Sequence, residues 1–214
     1  NQMRFPPNWR VLKNGKEILW FSESDGWGHL YLYNGNGKLK KQITKGEWLV
    51  VEVLFVDEEK YEVFFTGVGR EKDRDPYLIH LYKASLKNGN VTLLSNENAH
   101  HIVKSSPNKN YFIDTYSTRG TAPKTVIREL SGKVVMTVEE ANIDPLFAEG
   151  WNPPVRFKTK GRDGYDYYGY ITLPKKIKKG VKYPVIDYIY PGPQIGPIRT
   201  HGFTSSPSSQ GHAL

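Results

Sequence analysis

Few of the side chains able to do covalent chemistry are spaced to do it. The sequence has no Cys, which excludes a thiolate nucleophile, a thiolate metal site and a disulfide scaffold. Serines crowd Thr204-Ser205-Ser206-Pro207-Ser208-Ser209, but a hydrolase nucleophile sits on a sharp Gly-x-Ser-x-Gly turn. That pattern is absent, and the stretch reads as a loop. His100-His101 has no carboxylate or third His at ligand spacing, so no metal site is read there. Gly67-x-Gly69 is not completed to Gly-x-Gly-x-x-Gly and no helix follows, so nucleotide binding is set aside. No cofactor is expected. The remaining candidate is Tyr190. It ends the run Tyr183-Pro184-Val185-Ile186-Asp187-Tyr188-Ile189-Tyr190 and precedes Pro191-Gly192-Pro193. Read alone, a tyrosine at a strand end is a packed residue whose hydroxyl reaches solvent.

The elements around Tyr190 follow from pattern. A continuous β-branched and aromatic run is a buried, parallel strand, and open α/β sheets carry reacting groups at the carboxyl ends of such strands. Ahead of it, Val155–Lys160 alternates, with Val155, Phe157 and Thr159 on one face and Arg156, Lys158 and Lys160 on the other. Gly161-Arg162-Asp163-Gly164 is a hairpin turn, and residues 165–173 are its return strand. Residues 139–150 hold helix formers broken by Pro145, a short linker with a turn of helix, ended by Gly150 and Pro153-Pro154.

The first two thirds repeat. His29-Leu30-Tyr31 recurs as His80-Leu81-Tyr82, and each copy runs into an Asn/Gly turn. Val126-Ile127-Arg128-Glu129-Leu130, followed by Ser131-Gly132, is a degraded third copy. A polar turn and a β-rich run precede each: Glu17-Ile18-Leu19-Trp20-Phe21, Tyr61-Glu62-Val63-Phe64-Phe65, and Tyr111-Phe112-Ile113-Asp114. Closing strands follow at Gln42-Ile43-Thr44, Val91-Thr92-Leu93-Leu94 and Val134-Val135-Met136-Thr137. Four strands in about 45–50 residues is the size of a β-propeller blade. Residues 1–138 thus hold about three blades, which cannot close a ring. The expected fold is mainly β, an incomplete propeller followed by the first strands of a second domain. The sequence is expected to be a piece of a larger protein. His29 and His80, at equivalent positions, are assigned to blade packing. Trp20, Trp27 and Trp48 are assigned to blade cores or blade-to-blade contacts.

Charge supports the division near residue 150. Residues 1–150 carry 20 basic and 19 acidic side chains, and residues 151–214 carry 10 and 3. Half of the ten basic residues after position 150 are Lys175, Lys176, Lys178, Lys179 and Lys182, a solvated connection. A nucleic-acid site would interleave Arg or aromatic residues with the lysines, and none are there, so nucleic acid is not an expected partner. Arg70-Glu71-Lys72-Asp73-Arg74-Asp75 alternates in sign and reads as a solvated loop open to inter-blade contact. No apolar run approaches the roughly 18 residues of a membrane span, and no signal peptide is read at the start, Asn1.

Ser22-Glu23-Ser24-Asp25-Gly26-Trp27-Gly28-His29-Leu30-Tyr31-Leu32-Tyr33 resembles the Ser-Glu-Arg-Asp-Gly-Trp-x-His-Leu-Tyr signature in the propeller of dipeptidyl peptidase IV-like enzymes. Ile43-Thr44-Lys45-Gly46-Glu47-Trp48 and Tyr111-Phe112-Ile113-Asp114-Thr115-Tyr116-Ser117 resemble later elements of the same domain. Residues 182–193 are similar to the start of the catalytic α/β-hydrolase domain in the prolyl oligopeptidase family. Ser24 stands where the family has Arg, and Pro191 where many relatives have Gly or Ala.

The resemblance implies a serine peptidase that releases dipeptides, often after Pro or Ala, from a free N-terminus. It implies closing propeller blades over 1–138, a linker over 139–154, and the start of the hydrolase domain over 155–214, cut before the Ser-Asp-His triad. This chain alone is then expected to be inactive. Tyr190 would donate its hydroxyl to the oxyanion of the tetrahedral intermediate, a role suited to a phenol held by a rigid turn. The glutamates that hold the substrate's amino group lie, by resemblance, in an earlier segment, so Glu23 and Asp25 are given turn or salt-bridge roles. The implied partners are a peptide with a free N-terminus and the rest of the parent chain, with a homodimer left open. A periplasmic or secreted parent is expected. The rival reading is a non-catalytic propeller scaffold for protein binding, with a degenerate hydrolase domain.

Overall fold

A computed structural model describes residues 9–187 and 201–204. Tyr190 and its Pro-Gly-Pro turn lie outside the described residues. The chain divides into two compact units, residues 1–116 with 124–139, and residues 117–123 with 140–214.

The first unit is three successive four-stranded antiparallel meanders. Blade 1 is β1 (Arg10–Leu12), β2 (Glu17–Ser22), β3 (His29–Asn34) and β4 (Leu39–Gln42). Blade 2 is β5 (Leu49–Asp57), β6 (Glu62–Val68), β7 (His80–Ser85) and β8 (Val91–Leu93). Blade 3 is β9 (His100–Ser105), β10 (Tyr111–Ser117), β11 (Lys124–Glu129) and β12 (Val134–Glu140). Each repeat expected from sequence is therefore one sheet, with the repeated His-Leu-Tyr on the third strand. One boundary moves. The closing strand expected at Gln42-Ile43-Thr44 is β4, three residues earlier. Ile43 and Thr44 have left the ladder, and the Ile43 N–H donates to the Leu30 carbonyl at 2.8 Å.

Burial follows the stacking of the sheets. Along β10, exposed Tyr111 and Ile113 alternate with buried Phe112 and Asp114, because one face of the strand is covered and the other is not. Along β6, Val63 through Gly67 are all buried, because blade 2 has a neighbour on each face. Val63, Phe65, Tyr82 and Ala84 pack with Leu12, Leu19, Leu30 and Leu32 of blade 1. Phe64 and Leu81, one residue out of phase, pack with Val103 and Phe112 of blade 3. Each Val, Leu or Phe side chain among them, fully buried, stabilises by about 1.5–3 kcal/mol. On β5 the register shifts between Val53 and Phe55. Without that bulge the two side chains would share a face; with it, Val53 joins the first layer and Phe55 the second.

The turn between third and fourth strands uses a left-handed glycine in every blade, Gly37, Gly89 and Gly132, with φ of 84°, 82° and 89°. That recurrence explains the Asn/Gly and Ser-Gly signals after each repeat.

In the second unit, α1 (Asp144–Ala148) carries Pro145 at its start, where a missing N–H costs nothing. β13 (Val155–Lys160) and β14 (Asp166–Ile171) form the expected hairpin, with Val155 opposite Ile171 and Lys160 opposite Asp166. The expected buried strand at 183–190 is corrected over its described part. Residues 183–187 are in no strand, and Val185 and Ile186 are 84 % and 88 % exposed. A strand needs a ladder partner, and no described segment pairs with this one.

Candidate functional site

The structure approaches Tyr190 from both sides in sequence without describing it. On one side the Tyr183 hydroxyl accepts a hydrogen bond from the Lys178 N–H at 2.9 Å. On the other, the Phe203 N–H donates to Ser117 Oγ at 2.9 Å.

Within the second unit a polar-aromatic cluster forms around residues 201–204. Arg119, 9 % exposed, lies over the Tyr170 ring at 4.7 Å from its centroid. Tyr170 and His201 are 6.1 Å apart, ring to ring, and Trp151 meets Phe203 edge-on at 5.9 Å. Burial pulls the Arg119 pKa below its usual value, and the face of Tyr170 compensates part of the lost hydration. Gly120 is closely seated, since a Cβ there would stand 3.0 Å from the Pro153 ring. No pattern of residue types signals this grouping, whose members are far apart in the chain. A shallow cleft of about 390 Å³ in the same unit is lined by Asn152, Pro153, Val155, Leu173, Pro174, Lys175 and Ile177. It has no convergent set of polar groups of the kind that fixes a ligand.

The histidines of the first unit act in packing. His29 Nδ1 is 3.0 Å from Thr44 Oγ1, and Nε2 is 2.9 Å from the Gly46 carbonyl. His80 repeats the first contact, with Nδ1 3.4 Å from Ser95 Oγ. In both blades the same hydroxyl also accepts the next backbone N–H, from Leu30 or Leu81, at 2.9 Å. The second contact is not repeated. The carbonyl matching Gly46 is that of Glu97, and His101 Nε2 takes it at 3.1 Å, leaving buried His80 Nε2 without a hydrogen bond. Burial, then the charges of His101, Arg74 and His100, pulls the His80 pKa down to about 3.

His101 does meet a carboxylate, although none lies at ligand spacing. Its Nδ1 is 2.9 Å from Asp114 Oδ2, which also accepts from Arg128 Nε at 2.7 Å. Arg128 Nη2 reaches Glu97 Oε2 at 2.6 Å and Nη1 the Gly132 carbonyl at 3.1 Å. His101, Asp114 and Arg128 are all buried. Among the described residues no group of three or more His, Cys, Asp or Glu could hold a metal ion. A second ionic cluster links blades 1 and 2. Buried Glu17 accepts from Lys40, from Tyr61 Oη at 2.7 Å, and pairs with Lys13 at 3.0 Å. Burial alone would raise its pKa, but the bonds from Lys40, Tyr61 and Lys13 outweigh that and draw it down to about 2.

The other residues singled out by sequence fall into structural places. Asp25 accepts from the Trp27 N–H at 3.1 Å and from Gln42 Nε2 at 2.6 Å, a turn role. Arg74 reaches the Asn96 and Glu97 carbonyls at 3.0 and 3.3 Å, so the alternating-charge loop does contact the inter-blade connection. Trp48 is buried and stacks on Phe65 at 6.2 Å. Trp20 and Trp27 are corrected. They are 47 % and 41 % exposed, since no described sheet covers the outer face of blade 1. No helix among the described residues is long and apolar enough to cross a membrane.

Residues 3–123 match the family model described as the dipeptidyl peptidase IV (DPP IV) N-terminal region. Over 191 residues the chain is 31 % identical to a dipeptidyl peptidase 4 of Trichophyton equinum, covering 84 % of this chain and 24 % of that protein. It is 31 % identical over 165 residues to dipeptidyl peptidase 8 of Mus musculus, covering 72 % and 18 %. The chain thus spans about a quarter or less of the curated relatives it matches. A solved Bacteroides ovatus structure ascribed to dipeptidyl aminopeptidase IV superposes with a TM-score of 0.75 at 25 % identity, over 90 % of this chain and 29 % of that one. Porphyromonas gingivalis dipeptidyl peptidase 4 shares the fold, with a TM-score of 0.75 at 23 % identity over 94 % of this chain and 28 % of that one.

Proposed function

The chain belongs to the dipeptidyl peptidase IV family, and on that premise we propose that it forms part of a serine-type dipeptidyl peptidase. Residues 1–138 are the closing blades of its propeller, 139–154 the linker, and 155–214 the opening of its hydrolase domain. The parent releases dipeptides, after Pro or Ala, from peptides with a free N-terminus by acyl transfer to water. The observation that carries this reading is the family match over 3–123, whose span holds successive four-stranded sheets with the repeated His-Leu-Tyr on the third strand. The chain alone is inactive, because no Gly-x-Ser-x-Gly elbow occurs in it. Tyr190 supplies an oxyanion donor in the parent. A periplasmic or secreted location goes with this reading.

The test uses the full-length protein and a Gly-Pro or Ala-Pro chromogenic peptide. Tyr190→Phe should lower kcat by about 100–1000-fold, the cost of losing one oxyanion donor. An unchanged kcat removes Tyr190 from the mechanism. A parent that turns over no peptide, with the elbow serine replaced downstream, would favour the binding scaffold instead.

A further inference from the structure

The second unit holds two sets of lysines in opposite surroundings. On the hairpin, Lys158 and Lys160 both pair with Asp166 at 2.8 Å. After it, residues 167–186 contain five lysines and no carboxylate. Lys175 turns back, its ammonium donating to the Glu149 carbonyl at 2.9 Å. Among the described residues nothing holds the ammonium groups of Lys176, Lys178, Lys179 and Lys182. Lysine is almost never buried without a partner, so these four keep the loop at a surface in the parent as well. The loop is nevertheless shaped. The Tyr183 hydroxyl accepts from the Lys178 N–H at 2.9 Å and reaches the Lys176 carbonyl at 3.5 Å. Gly180 takes a left-handed φ of 80°, and the Val181 N–H turns back to the Lys178 carbonyl at 3.3 Å. These bonds fold the backbone onto itself, and every residue from 176 to 182 is exposed. Ile177 and Val181, 56 % and 51 % exposed, stand between the lysines.

Charge and apolarity together select the occupant. Four ammonium groups with no carboxylate nearby call for an anionic surface. A nucleic acid would be met by Arg or aromatic side chains between the lysines, and Ile177 and Val181 stand there instead. An anionic bilayer answers both features. Lysine heads sit among its phosphates while their stems lie along apolar surface, and the two β-branched side chains between them enter the boundary of headgroups and acyl chains. We propose that loop 176–182 docks the protein on an anionic lipid surface, with Lys176, Lys178, Lys179 and Lys182 at the headgroups and Ile177 and Val181 inserted. The contact is peripheral and needs no membrane-spanning segment. Each lysine near such a surface is worth about fivefold in affinity, and the attraction is screened beyond roughly 8 Å at physiological salt.

The test sediments the full-length protein with vesicles, and its readout is independent of any peptidase activity. The protein should pellet with vesicles of equal parts phosphatidylglycerol and phosphatidylcholine and stay in solution with phosphatidylcholine alone. Binding should weaken steadily as salt rises. Replacing Lys176, Lys178, Lys179 and Lys182 together by Gln should lower the partition constant about 100–1000-fold. Ile177→Ser with Val181→Ser keeps every charge and should lower it about tenfold, the loss of two inserted side chains. Both variants should melt at the wild-type temperature, because the loop is exposed and its backbone bonds are kept. Equal binding to phosphatidylcholine alone, wild-type binding by the Gln variant or by the Ser variant, or binding to heparin or single-stranded DNA without binding to the mixed vesicles would overturn the proposal.

Discussion

Replacing Arg128 by Met tests what holds blade 3 to the connection before it. Arg128 is 2 % exposed and its guanidinium serves Asp114, Glu97 and the Gly132 carbonyl at once. Met fills most of its volume and removes all three bonds. Glu97, with a side chain 30 % exposed, can turn to water. Asp114, wholly buried, cannot, and keeps only His101. The loss is therefore mainly that of an uncompensated buried carboxylate, about 3–5 kcal/mol. For a chain of this length that lowers Tm by about 6–20 °C, at roughly 2–4 °C per kcal/mol. Lys should not rescue, because one ammonium cannot span Asp114, Glu97 and the turn. Urea and thermal unfolding followed by circular dichroism measure the effect. Arg128→Met with Asp114→Asn should lose clearly less than the sum of the two single changes, since the stranded charge is gone. A single-variant loss under about 1 kcal/mol, or additive losses, would refute the reasoning.

Acid should destabilise the first unit in two stages. The unfolded His80 takes a proton near the ordinary histidine value of 6.5 while the folded ring resists until about 3, so the unfolded state binds more protons and stability falls as pH drops below 6.5, by about 1.4 kcal/mol per pH unit. Glu17 adds the second stage: its pKa is about 2 folded against 4.5 for an ordinary glutamate, so its contribution is present above 4.5 and lost as pH falls through 2. His80→Asn should flatten the slope between pH 6.5 and 4.5 in a urea-midpoint series, and an unchanged slope counts against the assignment. Gly132→Ala should cost about 1–3 kcal/mol from its left-handed backbone alone. A Cβ there would also stand 2.4 Å from the Leu94 carbonyl oxygen. A urea midpoint equal to wild type would mean that the turn shifts freely.

The local parts of this fold were legible because they are local. The His-Leu-Tyr repeat, the β-rich runs and the glycines after each third strand are short-range signals, and each maps onto one strand or one turn of a blade. Which strands would be buried on both faces was not legible. Val63-Phe64-Phe65 and Leu19-Trp20-Phe21 are similar runs, yet Phe64 is buried and Trp20 is 47 % exposed, because among the described residues only blade 2 has a sheet on both sides. The bulge that sends Val53 and Phe55 into different layers left no mark in the residue types.

Polar pairing shows the same limit. Sequence spacing gave His101 no carboxylate, yet Asp114 is 2.9 Å away across the sheet, and Arg128 closes the network from the next strand. The sequence by itself determined the strands of the three blades, the hairpin after them and the family, since these depend on neighbours along the chain. The tertiary structure decided which aromatic residues are core and which histidine loses its carbonyl, since those depend on what packs against each face.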